Sequence, residues 1–166
     1  MAQGKSGKRA TATPATSALA SLGIPYALHA YTHDPGTTDY GHEAAQSLGV
    51  DPERVFKTLV AEVDSELVVA IVPVSGTLDL KALAAAVGGK RANMADPSRA
   101  ERATGYRVGG ISPLGQKSAL PVVLDATAMD FESILVSAGK RGLDLEIMPV
   151  HLVAAVNART APIGRS

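Results

Sequence analysis

Between residues 53 and 63 the chain reads ERVFKTLVAEV, a succession of β-branched and apolar residues that predicts a strand. Successive strand side chains point to opposite faces. Val55, Lys57, Leu59, Ala61 and Val63 therefore share one face, and Phe56, Thr58, Val60 and Glu62 the other. Lys57 falls on the more apolar of the two. The same reading predicts a helix in TPATSALASLG, with Pro14 in its first turn, Ala15, Ala18, Leu19 and Leu22 at helical spacing and Gly23 as its stop. YALHAYT alternates as a strand, HDPGTTDYG is a turn-rich loop, and HEAAQSLG is a short helix ended by Gly49. ELVVAIVPV is an almost continuous apolar run that suits a central strand.

TLDLKALAAAVGG is the clearest helix: Leu80, Leu83, Ala84 and Val87 form a stripe, Thr77 or Asp79 is its cap, and paired glycines end it. RANMA predicts a short strand, and DPSRAERATG a short helix with Asp96 as cap and Pro97 in the first turn. YRVGGISPLGQKSALP has no period and is a long loop. VVLDA, SILVSAG and LDLEI follow as strands and PVHLVAAVN as a closing helix. Strands that follow one another without a helix exclude a regular βαβ winding. The expected class is α+β, a single domain with a mixed, highly curved, barrel-like sheet and helices packed outside. Residues 1–12, basic and without an apolar segment behind them, are expected to be a disordered tail, and 13–166 the domain.

Composition narrows the chemistry. Sixteen bases balance sixteen acids, so bulk charge gives no support to nucleic-acid binding, which must rest on a local patch. Aromatics are scarce and tryptophan is absent, which disfavours a stacking platform for single-stranded bases. With no cysteine, the protein supplies no disulfide, thiolate ligand or thiol nucleophile. That usage fits the cytoplasm. No apolar run is long enough to cross a bilayer, so no membrane is expected.

Lys57 is the first candidate. The plainer reading is that this long cationic side chain snorkels from near a strand end to water; against it, the position lies inside the run with apolar neighbours on its own face. Burying an unpaired ammonium is costly, so a lysine that does not reach water has a carboxylate partner or lines a pocket whose ligand brings the anion. The second candidate is the loop GGISPLGQKS, residues 109–118. Gln116 between Gly115 and Lys117 breaks the P-loop pattern, and a strand follows where a helix is required. Ser112 is one residue out of place for a nucleophile elbow. What remains is a loop stiffened by Pro113 whose glycines leave backbone N–H groups open to a ligand, as an anion nest or oxyanion hole does. Third, Gly139 and Gly142 bracket Lys140 and Arg141 in a compact cationic turn, which as a plain hairpin turn would only be solvated. Among the histidines there is no zinc-site spacing, and no metal or other cofactor is expected. His33 with Asp34 could form an acid–base pair, but a hydrogen-bonding role at the loop edge is the better reading.

YTHDP, VFKTL, TLDLKALAAAVGGKR, MADP, TGYRVGGISPLGQK and SAGKRGLDLEI, taken in order, resemble the YbaK-type aminoacyl-tRNA deacylases, in particular the bacterial Cys-tRNA(Pro) deacylase branch. The match runs over about residues 14–148. The resemblance implies a YbaK-like fold and a cytoplasmic factor that removes misattached amino acids from tRNA in trans, with mischarged tRNA and prolyl-tRNA synthetase as partners. It makes Lys57 the essential residue, and has the loop from Gly109 through Gly110 and Ser112 to Pro113 frame the aminoacyl ester. Tyr31, Tyr40 and Asp144 match positions that line the same pocket. Lys117, Lys140 and Arg141 are the candidates for tRNA phosphates. Tyr40 stands where relatives commonly have Phe, and Ala138 replaces a glycine of the turn.

The branch further implies substrate-assisted chemistry, in which the thiol of the misattached cysteine attacks its own ester. A protein without cysteine suits that route. Lys57 is then expected to position the substrate and favour its thiolate rather than to move a proton, because an ammonium is a poor base at neutral pH. Two other readings are a water-dependent deacylase of Ala-tRNA(Pro) or other mischarged tRNA, and a catalytically silent module that binds tRNA or a synthetase.

Overall fold

The computed structural model describes residues 12–166, so the tail expected at the N-terminus lies almost wholly outside the described residues. Helix α1, Pro14–Leu22, starts under a reciprocal cap in which Thr13 and Thr16 hydrogen bond to each other's backbone N–H, and ends on Gly23 at φ +68°. Strand β1 is Ala27–Ala30, and α2 is Tyr40–Leu48, closed by Gly49. The Lys57 strand, β2, is Phe56–Val63 and turns into β3, Glu66–Pro73. A two-residue strand β4, Thr77–Leu78, precedes α3, Leu80–Ala86. Asp79 is the cap of α3, accepting from the Ala82 N–H at 3.0 Å. Strand β5 is Ala92–Met94, and α4 is Pro97–Thr104 behind its Asp96 cap. Residues 105–121 carry no helix or strand. Strands β6 (Val122–Asp125), β7 (Ile134–Lys140) and β8 (Leu143–Ile147) follow, with a 3-10 turn over Ala126–Asp130. Helix α5, Pro149–Val156, does not close the chain: β9 (Arg159–Ala161) and β10 (Gly164–Arg165) come after it.

The strands divide into a five-stranded sheet, β5-β2-β3-β6-β9, a three-stranded sheet, β1-β8-β7, and the pair β10-β4. In the larger sheet β3–β6 and β6–β9 run parallel and the other pairs antiparallel. The class is therefore α+β with a mixed sheet. No closed barrel forms among the described residues. In place of one barrel-like sheet, the two larger sheets meet through a single parallel bridge, Val55 to Leu135.

Both faces of β2 are covered, which is why its sequence alternates only weakly. Phe56 joins Val69, Ile71 and Leu124 of its own sheet to Ile134, Val136 and Leu145 of the three-stranded one, with Ala15 and Leu19 of α1. On the other face Ala61 and Val63 pack with Val68, Ala70 and Val72 under Leu83 and Ala84 of α3. Helix α2 closes the junction between the sheets by packing Ala44 and Ala45 on Val55, Val74 and Leu135.

Candidate active site

Strand β5 pairs with β2 only along Ala61–Val63, and the Ala95 N–H donates to the Val60 carbonyl at 3.1 Å. At the other end the Leu135 N–H donates to the Arg54 carbonyl at 3.1 Å beside the Val55–Leu135 bridge. Between them, the edge of β2 from Phe56 to Val60 has no strand alongside among the described residues. A cavity of about 560 Å³ runs along this bare edge and is lined by every residue from Val55 to Val60. At about 3.3 Å per residue, that edge measures roughly 17 Å.

Lys57 lines the cavity midway along the edge, and its ammonium has no hydrogen bond or ion pair among the described residues. Of the two alternatives for a lysine on this strand, the pocket is the one realised. Thr58, next to it, also lines the cavity, and its buried hydroxyl has no partner. Ser137 of β7 and Asp144 of β8, cross-strand partners, line the cavity as well, with Tyr31; the parallel Val55–Leu135 bridge sets Ser137 level with Lys57. Asp144 is 5 % exposed, and burial pushes its carboxyl up from 3.8 to about 7. Burial, reinforced by the Asp144 charge, pushes the Tyr31 phenol up to about 12, so it stays a neutral hydroxyl. The Val60 end is apolar, formed by Met94, Ala95, Pro97, Ala100 and Ile111.

The loop between α4 and β6 supplies Val108, Gly109 and Ile111 to the wall. Gly109 has φ +90°, and a Cβ there would lie 2.8 Å from Arg141 Nε and from the Tyr40 ring carbons Cδ2 and Cε2. The Gly110 N–H is committed to the Arg107 carbonyl at 2.9 Å, whereas the Gly109 N–H donates to no carbonyl among the described residues. Ser112 and Pro113 are buried beneath the loop and, like Gly110, do not line the cavity. Ser112 instead braces the turn: its hydroxyl accepts from the Leu114 N–H and its carbonyl from the Gln116 amide.

The structure thus brings Lys57, Tyr31, Tyr40, Gly109 and Asp144 to one cavity. Lys117, Lys140 and Arg141 are exposed and outside it. Arg141 donates from Nε and Nη2 to the Val108 carbonyl, at 3.0 and 2.6 Å, and so ties the β7–β8 turn to the loop. His33 pairs with Glu43 at 2.7 Å rather than with Asp34, whose N–H donates to the same carboxylate. Thr58, Ser137 and Met94 escaped the sequence reading. Ser137 follows Leu135 by two positions on β7, but only the bridge to Val55 shows which side of that strand adjoins Lys57.

Three comparisons bear on this geometry. A model of the aminoacyl-tRNA editing domain matches residues 34–155. Over 120 residues the chain is 42% identical to EbsC of Enterococcus faecalis, a protein provisionally named as a Cys-tRNA(Pro)/Cys-tRNA(Cys) deacylase, with 72% of this chain and 73% of that one covered. It is 30% identical over 103 residues to a proline–tRNA ligase of Desulforamulus reducens, a stretch that covers 62% of this chain and 18% of the ligase. A crystal structure provisionally described as a trans-editing enzyme for prolyl-tRNA synthetase superposes with a TM-score of 0.82 at 25% identity, covering 94% of this chain and 98% of that one. With all of its cavity but Tyr31 inside the matched span, the chain belongs to the aminoacyl-tRNA editing domain family.

Proposed function

We propose that the protein is a trans-editing deacylase that clears Cys-tRNA(Pro), using the cysteinyl thiol as nucleophile. The observation that carries this is Lys57, a cation without a protein partner in a cavity that also holds a buried carboxylate. In this reading the substrate's α-ammonium pairs with Asp144 and its ester carbonyl lies by Lys57 and the Gly109 N–H. The thiol loses its proton, the sulfur attacks the carbonyl carbon, and the bond to the ribose 3′ oxygen breaks. That oxygen takes up a proton and cysteine leaves as a four-membered thiolactone.

A free thiol has a pKa of about 8.5, and a nearby ammonium favours the thiolate. The strained ring demands orientation, and held intramolecular reactants reach effective molarities of roughly 10⁵ to 10⁸ M. The absence of cysteine from the chain agrees with a nucleophile carried by the substrate. Lys117, Lys140 and Arg141 are proposed to meet tRNA phosphates, and prolyl-tRNA synthetase in the cytoplasm to supply the affinity that a neutral protein lacks.

A second reading, a water-dependent deacylase, draws support from the same Asp144. A carboxyl held near 7 lies in the range of a general base. Single-turnover deacylation of Cys-, Ser- and Ala-tRNA(Pro) by wild type and Lys57→Ala separates the two. Loss of only the cysteinyl ester, abolished by Lys57→Ala, is the expected result. Equal attack on the Ser or Ala esters would sink the thiol route and favour water.

A further inference from the structure

Lys5, Lys8 and Arg9 are the only lysines and arginines ahead of the first acidic residue, Asp34. The chain has sixteen bases and sixteen acids, so setting these three aside leaves thirteen bases against sixteen acids. The described domain therefore carries a net negative charge, which repels RNA. The cations that restore neutrality all stand in residues 1–11.

The place where those residues join the domain is fixed. The Thr13 hydroxyl donates to the Ala138 carbonyl at 2.6 Å. A Cβ on Gly139, at φ +113°, would lie 3.3 Å from the Thr13 Cβ, and one on Gly115, at φ +67°, 2.4 Å from the Pro14 carbonyl oxygen. Glycine at both positions lets the chain enter this closely. Residues 1–11 thus attach between the β7–β8 turn and the loop after α4. Both segments carry exposed cations of their own: Lys140 and Arg141 follow Gly139, Lys117 stands two positions past Gly115, and Arg107 starts the loop's approach to Gly109. Glu101 lies among them, accepting from the Val108 N–H at 2.8 Å, and offsets one charge. The cavity is adjacent, since Ser137 and Gly109 line it from the same two segments.

We propose that residues 1–11 are a basic arm that grips the phosphate backbone of the tRNA acceptor stem, extending the cationic rim of Arg107, Lys117, Lys140 and Arg141; the proposal rests on the deacylase reading of the cavity. A tRNA whose 3′ ester lies in the cavity brings its acceptor end, rather than its anticodon, nearest this rim. A residue spans at most about 3.6 Å, so Arg9 acts within about 14 Å of Thr13 and Lys5 within about 29 Å. That reach meets several phosphates, and each one neutralised releases counterions. The arm supplies attraction where the domain behind it would repel.

Two measurements on the full-length protein test it. A Cys-tRNA(Pro) analogue with a 3′-amide in place of the ester is titrated at several salt concentrations against wild type and a variant with Lys5→Ser, Lys8→Ser and Arg9→Ser together. The variant is expected to bind at least about tenfold more weakly and to flatten the slope of log affinity against log salt by about 2 to 3. Its deacylation of a minimal cysteinyl-adenosine ester is expected to be unchanged, because that substrate has no stem to grip. In the second measurement, p-benzoylphenylalanine in place of Lys8 is expected to cross-link to the acceptor stem with prolyl-tRNA synthetase present. An unchanged slope, equal slowing of the minimal ester, or cross-links to the anticodon arm or the synthetase instead would overturn the arm and leave the deacylase reading intact. A flattened slope and acceptor-stem cross-links, with a wild type that hydrolyses no ester, would uphold the arm as an RNA contact and overturn the deacylase reading.

Discussion

The Arg141 guanidinium lies over the Tyr40 ring, 4.7 Å from its centroid, and the two side chains close around Gly109. Three segments far apart in sequence meet there: the start of α2, the loop after α4 and the turn between β7 and β8. Glycine at 109 is required twice over, by φ +90° and by the 2.8 Å approach of both neighbours to the place of a Cβ.

Gly109→Ala is therefore expected to destabilise the fold by about 1–2 kcal/mol and to displace the Tyr40 ring from the cavity wall. Thermal unfolding reads the first effect and deacylation of a minimal cysteinyl-adenosine ester the second. An alanine variant with unchanged melting and turnover would remove the argument for a clasp.

Arg141→Lys separates grip from charge. A lysine keeps the positive charge and so the slope of log affinity for tRNA against log salt. It cannot reproduce the paired donation of Nε and Nη2 to Val108. The expected outcome is an unchanged salt slope with turnover of the minimal ester slowed about 3- to 10-fold, taking about 1 kcal/mol for the lost hydrogen bonding. Normal turnover with the slope unchanged would remove the clasp and leave Arg141 to the phosphates alone.

Asp144 gives stability a definite pH dependence. Its carboxyl is raised from 3.8 to about 7 by burial, so folding takes up a proton between those values. The contribution to stability is full below the unfolded value and is lost as pH rises through the folded one. Asp144→Asn is expected to abolish this slope and to stabilise the protein at alkaline pH by at most about 4 kcal/mol, while deacylation falls because the ammonium loses its partner. Denaturant midpoints measured across the pH range for both proteins decide it.

Glu43 anchors the loop that leads into Tyr40. Burial works against its charge, but the Asp34 N–H and the His33 ring outweigh that and hold its carboxyl below the usual range. Its stabilisation is thus present above the ordinary carboxylate value and lost as pH falls through the lowered one. Glu43→Gln is expected to cost about 1 kcal/mol and to speed amide hydrogen exchange at Asp34 and at Thr37, whose N–H bonds to the Asp34 carbonyl.

Much of the fold is legible from local signals. Proline in the first turn and glycine at the stop place α1, and an aspartate cap with a leucine stripe places α3, because these devices act within one or two turns. Strands β9 and β10 were illegible: Arg159–Ala161 and Gly164–Arg165 carry no apolar period, and only their neighbours, β6 and β4, make them strands. Lys57 drew notice as a charge on an apolar face. That face does pack against α3, yet the opposite face, with Phe56 and Val60, is buried as well. What frees the lysine is the missing neighbour along the edge of β2, a property of pairing that no single strand's sequence records. Pro113 and Ser112 were visible as parts of a special loop, but which of its residues face inward depends on how the loop folds over α4.

The bare edge of β2 has one more consequence. Unpaired strand edges are where foreign chains add themselves to a sheet, and proteins shield them with short spans, charges and covering segments. Here the gap is only Phe56 to Val60, bounded by β5 at one end and the Val55–Leu135 bridge at the other, with the Lys57 ammonium beside it. Those are shields of the same kind: the gap is too short to seat a foreign strand and the ammonium discourages one. The edge can therefore stay open to a small ligand without inviting another chain.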